Sequence, residues 1–300
     1  MGEDVYRDSG VGRDIFDRAE AATGLDIRKL AFEGPEERLN RTDFAQPAIF
    51  TVSAALLETL RSLLSPAQVE AIRPAFLAGL SLGEYTALYA AGAMDFETGV
   101  KLVARRGELM QQAATAVPSG MVSVMGMDEG QARQLCESAG QGQVLTCANF
   151  NCPGQIVLSG EKEACLRAAE QAERFGATRA VPLKVAGAFH SEIMAPAAEQ
   201  FAETLADVEF NEPTAGVIAN VAAAPYASAG EIKHKLLAQL TSPVRWAESM
   251  EYLLAQGPQR PYEIGPGRVL AGLMRRIDRQ TTVVSVNSLA AVRGLAAQSN

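Results

Sequence analysis

Residues 74 to 83 read Pro74-Ala75-Phe76-Leu77-Ala78-Gly79-Leu80-Ser81-Leu82-Gly83. The apolar run before Ser81 predicts a short strand, and the small and apolar residues from Gly83 to Ala91 predict a helix directly after it. Gly79 to Gly83 match G-x-S-x-G, a pattern whose glycines let the chain turn sharply and lift a serine hydroxyl clear of the backbone. We therefore expect Ser81 at a strand-to-helix turn, where it can act as a nucleophile.

The composition predicts a mixed α/β globular protein. The 300 residues are 48% hydrophobic, and Val- and Ile-rich runs bounded by Gly and Pro alternate with helix-forming segments. The formal net charge of -8 argues against a general nucleic-acid or anionic-membrane binder, since both need clustered Lys and Arg. No run reaches 18 apolar residues and the start has no secretion-signal pattern, so we expect a cytoplasmic protein with no nucleic-acid or membrane partner.

The segment 116–189 has a strand and helix order of its own. We expect it to form a ferredoxin-like (βαββαβ) small domain, inserted into a large α/β-hydrolase-like catalytic domain made of residues 1–115 and 190–300. In the large part we expect a buried helix over 46–63 and a strand over 216–220. The elements predicted in the small part are strands at 121–125, 143–149, 155–159 and 180–184 and helices at 129–139 and 161–175.

A serine nucleophile needs a base, and histidine is the usual one because its ordinary pKa of about 6.5 lies near neutrality. The chain has 2 histidines. His234 lies in the polar run Glu231–Lys235, which favours a solvated helix face. His190 follows Ala186-Gly187-Ala188-Phe189 in a predicted break between a strand and a helix, where functional residues are common. We therefore expect His190 to be the base.

The group that orients this histidine is either a carboxylate or a carbonyl, and no acidic residue stands out in the sequence. An ordinary α/β-hydrolase carries its acid and then a late histidine after the serine. Here His190 lies mid-chain, which disfavours an ordinary esterase.

An arginine pair lies on a predicted helix that is otherwise apolar, at Arg105-Arg106-Gly107. Such an arginine is either solvated or able to hold a carboxylate through two parallel hydrogen bonds.

The 4 cysteines form neither a C-x-x-C pair nor a cluster with histidine, although Cys136, Cys147, Cys152 and Cys165 follow one another closely. This spacing predicts reduced structural thiols rather than a zinc site. Gly265-Pro266-Gly267 lacks the remaining glycines of a dinucleotide fingerprint. We expect no metal and no cofactor.

Taken together, these motifs resemble the malonyl-CoA:acyl carrier protein transacylase family, and the similarity covers almost the whole chain. It rests on ordered segments at Gly79-Leu80-Ser81-Leu82-Gly83-Glu84-Tyr85, Arg106-Gly107 with Met110-Gln111, Asn149-Phe150-Asn151-Cys152-Pro153-Gly154-Gln155, Gly187-Ala188-Phe189-His190-Ser191, Gln239-Leu240-Thr241-Ser242-Pro243-Val244-Arg245-Trp246 and Glu263-Ile264-Gly265-Pro266-Gly267.

The resemblance implies a role for each matching residue. Ser81 would be the nucleophile, His190 its general base and acid, and Arg106 the clamp for the free malonyl carboxylate. Gln239 would orient His190 through its backbone carbonyl, and the backbone N–H of Leu82 would be an oxyanion donor. The Ala188-Phe189-His190 context resembles the malonyl-selective members.

The sequence departs from the family at two places. The family usually has histidine immediately before the nucleophile, and here Leu80 stands there, where we expect it to line the acyl pocket. The family also normally begins with a strand and a Gly-Gln-Gly-x-Gln loop that supplies a second oxyanion donor, and this sequence starts just after that loop.

The resemblance implies transfer of a malonyl group from malonyl-CoA to the pantetheine thiol of an acyl carrier protein, through a malonyl ester on Ser81 and for fatty acid synthesis. Carrier proteins are usually acidic, so Arg268, Arg275, Arg276 and Arg279 form either a docking patch or a solvated helix face. Two alternatives remain open. One is a serine hydrolase of acyl thioesters or esters, and the other is a truncated noncatalytic homologue that binds the carrier protein.

Overall fold

The computed structural model describes residues 1–257 and 260–298, so the end of the predicted large domain, 299 and 300, lies outside the described residues. The helices are α1 (Glu3–Asp8), α2 (Gly10–Thr23), α3 (Ile27–Glu33), α4 (Glu36–Leu39), α5 (Thr42–Leu63), α6 (Pro66–Ala71), α7 (Leu82–Ala90), α8 (Phe96–Ala116), α9 (Glu129–Gly140), α10 (Lys162–Gln171), α11 (Ala195–Ala206), α12 (Ile232–Gln239), α13 (Trp246–Ala255), α14 (Val269–Ile277) and α15 (Leu289–Gln298). The strands are β1 (Phe76–Leu77), β2 (Ser119–Met125), β3 (Leu145–Cys152), β4 (Gln155–Glu161), β5 (Arg179–Pro182), β6 (Gly216–Ala219), β7 (Ala224–Pro225), β8 (Tyr262–Ile264) and β9 (Val284–Val286).

Strands β2 to β5 form one antiparallel sheet in the order β3-β4-β2-β5. Side chains alternate between the two faces of a strand. On β2, Val122 and Val124 enter the core shared with α9 and α10, whereas Met121 lies in a second cluster on the opposite face, with Phe189 against it. The order strand, helix, strand, strand, helix, strand confirms the ferredoxin-like part of the predicted fold class. The boundaries at 115/116 and 189/190 stay a prediction.

The small sheet is joined to the rest of the molecule by backbone hydrogen bonds. Phe150 N donates to Val244 O at 2.9 Å, and Val244 N donates to Ala148 O at 2.9 Å. Strand β3 is thus hydrogen-bonded to the loop between α12 and α13. This pairing places the small sheet beside the carboxyl end of α12.

The long helices α5 and α8 pack side by side in the large part and fix the position of Arg106. A Cβ atom on Gly107 would lie 2.5 Å from the Thr42 carbonyl oxygen at the start of α5, so only glycine allows this approach. Arg106, one residue earlier on α8, is buried beside this close approach.

The strand predicted before Ser81 is shorter than expected. Only Phe76 and Leu77 pair with a neighbour, in parallel with β6, and β7 continues this sheet antiparallel to β6. After Leu77 the chain leaves the sheet, and the Asn220 side chain makes hydrogen bonds with the Gly79 carbonyl and the Ser81 N–H. Strands β8 and β9 form a separate parallel pair.

Within 1–257 and 260–298, no helix has both the length and the apolar character that crossing a membrane requires.

Candidate active site

Ser81 lies in a strained turn between β1 and α7. Its φ of 50° and ψ of -101° place it outside the helical and strand regions, a cost that a fold tolerates only where its surroundings enforce the conformation. Asn220, directly after β6, supplies this enforcement: Ser81 N donates to Asn220 Oδ1 at 2.6 Å, and Asn220 Nδ2 donates to Gly79 O at 2.8 Å. The serine is therefore clamped from both sides by one amide.

The two glycines of the motif serve different purposes. A Cβ atom on Gly79 would lie 2.0 Å from the Gly83 carbonyl carbon, whereas one on Gly83 would meet nothing within 4 Å. The turn therefore requires glycine at position 79 for steric reasons, and the space beside Gly83 is open.

His190 contacts the serine through one ring nitrogen and the backbone through the other. Ser81 Oγ lies 2.9 Å from His190 Nε2, and His190 Nδ1 lies 2.7 Å from Gln239 O. A carbonyl oxygen only accepts, so Nδ1 carries the proton and Nε2 is free to accept the serine hydroxyl proton. Burial, with a smaller contribution from the Arg106 cation, lowers the pKa of His190 to about 4. The imidazole is therefore neutral at pH 7, as a base must be.

The loop that carries His190 is tied to the small sheet and is closed by a hydrogen bond of its own. His190 itself has a φ of 58°, in the left-handed region. Ser159 Oγ on β4 donates to Phe189 O at 2.7 Å, and Ser191 Oγ donates to Ala188 O at 2.7 Å. Because of these contacts, the small sheet helps to hold the histidine against Ser81.

Arg106 is only 1% exposed and points at the serine. Its Nη2 donates to Ser81 Oγ at 3.0 Å and to Gln239 Oε1 at 2.8 Å, and its Nη1 donates to Gln46 Oε1 at 2.7 Å. Burial lowers the pKa of this guanidinium. Among the described residues Arg106 Nε has no acceptor. A cation with an unused donor therefore lies next to the nucleophile.

Glu84 is a buried acid that sequence reasoning missed. It lies one turn after Ser81 on α7, is 0% exposed, and accepts from Asn220 N at 3.0 Å and Gln239 Nε2 at 2.6 Å. Tyr226 also donates its hydroxyl to this carboxylate. Burial raises the pKa of Glu84 to about 7, against the opposing effect of these donors. A signal was present, because Glu84 is the one charged side chain in the otherwise apolar and small run of α7.

Gln46 and Asn220 were also missed as site residues, because the sequence pattern placed them only in a buried helix and at the end of a strand. Each is a polar residue at a position predicted to be buried, and a buried amide requires partners. Their partners lie 60 and 139 residues away, at Arg106 and Ser81.

Most of the residues predicted for the site come together. Ser81, His190, Arg106 and the Gln239 carbonyl are in direct contact, and the Leu82 N–H lies in the first turn of α7, where a helix leaves its N–H groups without intrahelical partners.

Other positions that the sequence singled out lie outside this group of contacting residues. Leu80 is half-buried and packs against the cluster of Trp246 and Met250. Arg105 pairs with Glu108 at the surface, at 2.7 Å, and His234 is exposed. The thiols of the four cysteines are free and buried.

A family model described as "Acyl transferase domain" matches residues 1–293. The chain is 41% identical to the malonyl CoA-acyl carrier protein transacylase of Bacillus subtilis, over 96% of this chain and 89% of the relative.

The chain belongs to this acyltransferase family.

Solved members of the family have the same fold. An acyl carrier protein S-malonyltransferase from Vibrio cholerae is 41% identical and superposes with a TM-score of 0.90, covering 98% of this chain and 94% of its own. A malonyl-transacylase solved in complex with a type II PKS acyl-carrier protein is 38% identical, with a TM-score of 0.92 and coverage of 99% and 94%. The predicted family and the α/β fold class are thus confirmed.

Proposed function

We propose that this protein transfers a malonyl group from malonyl-CoA to the pantetheine thiol of an acyl carrier protein, for fatty acid synthesis. The observation that carries the proposal is the position of Ser81 Oγ, 2.9 Å from the neutral nitrogen of His190 and 3.0 Å from the Arg106 guanidinium. A base and a cation therefore meet at one nucleophile. The names of the relatives support malonyl as the acyl group and an acyl carrier protein as the acceptor.

In the first half of the cycle, Ser81 Oγ attacks the thioester carbon while its proton passes to His190 Nε2. The Leu82 N–H at the start of α7 stabilises the oxyanion of the tetrahedral intermediate. The intermediate collapses with loss of coenzyme A, whose sulfur takes the proton back from His190. Ser81 is left as a malonyl ester.

In the second half, His190 takes the proton of the pantetheine thiol, and the resulting sulfur nucleophile attacks the ester. Ser81 leaves and is reprotonated by His190. The Gln239 carbonyl keeps the imidazole in one tautomer throughout, but it carries no charge and does not stabilise the imidazolium as a carboxylate would. The absence of a carboxylate at this position agrees with the low pKa of His190.

Arg106 holds the free carboxylate of the malonyl group. Its guanidinium is a planar set of donors suited to a carboxylate, and its Nη2 lies 3.0 Å from Ser81 Oγ, the atom that carries the acyl group. An acetyl group has no such carboxylate. The contact therefore distinguishes malonyl-CoA from acetyl-CoA.

Mass spectrometry of the intact protein after incubation with malonyl-CoA tests the covalent step. We expect a malonyl adduct that is absent from Ser81→Ala. An adduct that persists in Ser81→Ala would contradict the role of Ser81. A folded wild type without any adduct would favour a noncatalytic carrier-binding protein, and rapid release of free malonate without a carrier protein would favour a hydrolase.

Replacing Arg106 with alanine tests the carboxylate contact. Loss of a charged hydrogen bond costs about 1.5–3 kcal/mol, so malonyl loading should fall by roughly tenfold to a hundredfold relative to acetyl loading. An equal loss for both acyl groups would remove Arg106 from substrate recognition.

The carrier protein docks, in this proposal, at the basic patch of Arg268, Arg275, Arg276 and Arg279. All four side chains are exposed on or beside α14, and Arg276 reaches Gln155 of the small sheet at 2.8 Å. Reversing the charge at Arg275 and Arg276 should slow transfer to the carrier protein without slowing Ser81 acylation. Unchanged transfer would leave these residues as a solvated face.

We further propose a cytoplasmic location and a division of the chain into a small domain at 116–189 and a large domain made of 1–115 and 190–300. The four-stranded antiparallel sheet with its own apolar cluster supports the small unit.

Leu80, at the position before the nucleophile, would shape the acyl pocket from the side of Trp246.

A further inference from the structure

The side chain of Gln239 connects a buried cation to a buried acid. Its Oε1 accepts from Arg106 Nη2 at 2.8 Å, and its Nε2 donates to Glu84 Oε2 at 2.6 Å and to Ser81 O at 3.1 Å. These partners leave one orientation for the amide, with its oxygen towards the cation and its NH₂ towards the acid. Gln239 itself is 0% exposed.

The charge of Arg106 has no direct carboxylate partner among the described side chains. Its guanidinium donates to a serine and two glutamines, and Glu84 is the acid that reaches it through Gln239. Buried charges are costly unless an opposite charge compensates them. An ionised Glu84 makes this interior electrically neutral when no acyl group is bound.

Binding of a malonyl carboxylate changes the charge count. With Arg106 holding that carboxylate, an ionised Glu84 would be a second anion beside a single cation. We propose that Glu84 is the charge partner of Arg106 in the unacylated enzyme and that it takes up a proton when the malonyl carboxylate binds to Arg106. The inference rests on the proposed role of Arg106, and it makes Glu84 a positioning residue that acts on substrate choice through Gln239.

The groups around Glu84 allow this exchange near neutral pH. Burial raises the pKa of Glu84 to about 7, so a modest added negative charge is enough to protonate it. Arg106 on α8 is the cation that faces it. The neutral groups that face it are the tyrosines Tyr85 and Tyr226, whose pKa values burial raises, and the amides of Asn220 and Gln239.

The more distant groups around Glu84 are either paired with an opposite charge or neutral. Lys235 lies 5.2 Å from the Tyr226 ring centre and pairs with Glu231. From α5, the neighbouring polar group is the neutral amide of Gln46, and His190 is neutral above its pKa of about 4.

The test measures Ser81 acylation by malonyl-CoA and by acetyl-CoA from pH 6 to pH 9. The ratio of the two kcat/KM values cancels the titration of coenzyme A and of His190. Uptake of one proton predicts a ratio that falls by about tenfold per pH unit above the pKa of Glu84. A ratio that does not change with pH in the wild type would overturn the proposal.

Glu84→Gln keeps the hydrogen bonds and removes the proton exchange. Its amide oxygen can accept from Asn220 and Gln239, and its NH₂ can donate to the Tyr226 oxygen. The pH dependence of the ratio should disappear in this variant. A fall with pH as steep as that of the wild type would show that another group takes up the proton, and would overturn the proposal.

Tyr226→Phe supplies an independent check if Glu84→Gln does not fold. It removes a donor that lowers the pKa of Glu84, so the fall in the ratio should move to higher pH. If the ratio falls at the same pH in a folded Tyr226→Phe as in the wild type, Glu84 is not the group that takes up the proton.

Proton uptake can also be measured directly. In the wild type at pH 8, malonylation should take up about one more proton per Ser81 than acetylation does, by the same linkage. Equal uptake would contradict the inference.

Failure of this proposal can be told apart from failure of the Arg106 clamp. If Arg106→Ala loses the preference for malonyl-CoA while the wild-type ratio is flat with pH, only the role of Glu84 is wrong. If Arg106→Ala keeps the preference, Arg106 does not bind the malonyl carboxylate, and the inference about Glu84 is wrong as well.

Discussion

The core beneath the small sheet and the interior around Ser81 are equally buried and differ in chemistry. Beneath the sheet, Val124 and Leu158 are 0% exposed and contact other apolar side chains. Around Ser81, Glu84 and Gln239 are also 0% exposed, but each depends on specific hydrogen-bond partners. Loss of one apolar side chain leaves a cavity, whereas loss of one polar partner leaves the others unsatisfied. We therefore expect a substitution in the first core to change stability alone, and a substitution in the second to change the chemistry at Ser81 as well.

The largest effect expected from the polar interior is the loss of the base. His190→Ala should slow malonylation of Ser81 by about 10²- to 10⁴-fold, the range typical of general base catalysis. Time-resolved intact mass would give the rate. His234→Ala is the matched control, because it removes the other histidine, which is exposed. A loss below about tenfold would mean that His190 is not the base.

The apolar core should respond in the opposite way. Leu158→Ala on β4 should lower the free energy of unfolding by about 2–5 kcal/mol, the usual cost of a buried leucine. Urea denaturation would measure this loss, and Leu166→Ala, at a leucine that is 42% exposed, is the matched control.

The folded fraction of Leu158→Ala should still acylate Ser81 at close to the wild-type rate. A large rate loss in folded Leu158→Ala would show that the two regions are not separable, since Ser159 next to it holds the His190 loop.

The same contrast explains what the sequence could predict. The small sheet follows from local signals, because strand alternation and helix periodicity repeat within a few residues; the helix predicted at 129–139 is found at Glu129–Gly140. The Ser81 turn and the His190 loop were also predictable, from their motifs. The Asn220 clamp and the Glu84–Gln239–Arg106 chain were not, because they join side chains more than 130 residues apart in sequence. No local pattern encodes such pairs.

The two glycines of the serine motif extend the comparison to the turn that holds Ser81. Gly79→Ala should destabilise the protein by about 1–3 kcal/mol or more, because the added Cβ would lie 2.0 Å from backbone that cannot move freely. Gly83→Ala, at an open position on α7, should cost much less and could gain up to about 1 kcal/mol from helix propensity. Thermal unfolding of both variants would decide this. Equal destabilisation by both would contradict the steric assignment.

The last expected effect is a change in how stability depends on pH, and it is small at any single pH step. Burial lowers the pKa of His190 to about 4, so its contribution is complete above pH 6.5 and is lost as the pH falls towards 4. Burial raises the pKa of Glu84 to about 7, so its contribution is complete below pH 4.5 and is lost as the pH rises towards 7. Between pH 4.5 and 6.5 the two contributions have opposite slopes of about 1.4 kcal/mol per pH unit and largely cancel.

Glu84→Gln removes one of these slopes and leaves the other. Relative to the wild type, its free energy of unfolding should rise with pH by about 1.4 kcal/mol per unit from pH 4.5 to 6.5, because of these two groups only His190 is still present to titrate. Urea denaturation at three pH values would show it, with Glu203→Gln at an exposed position of α11 as control. Parallel curves for Glu84→Gln and the wild type would mean that Glu84 is ionised throughout this range. The polar interior would then hold two permanent opposite charges, Arg106 and Glu84, joined through Gln239, rather than an exchangeable proton.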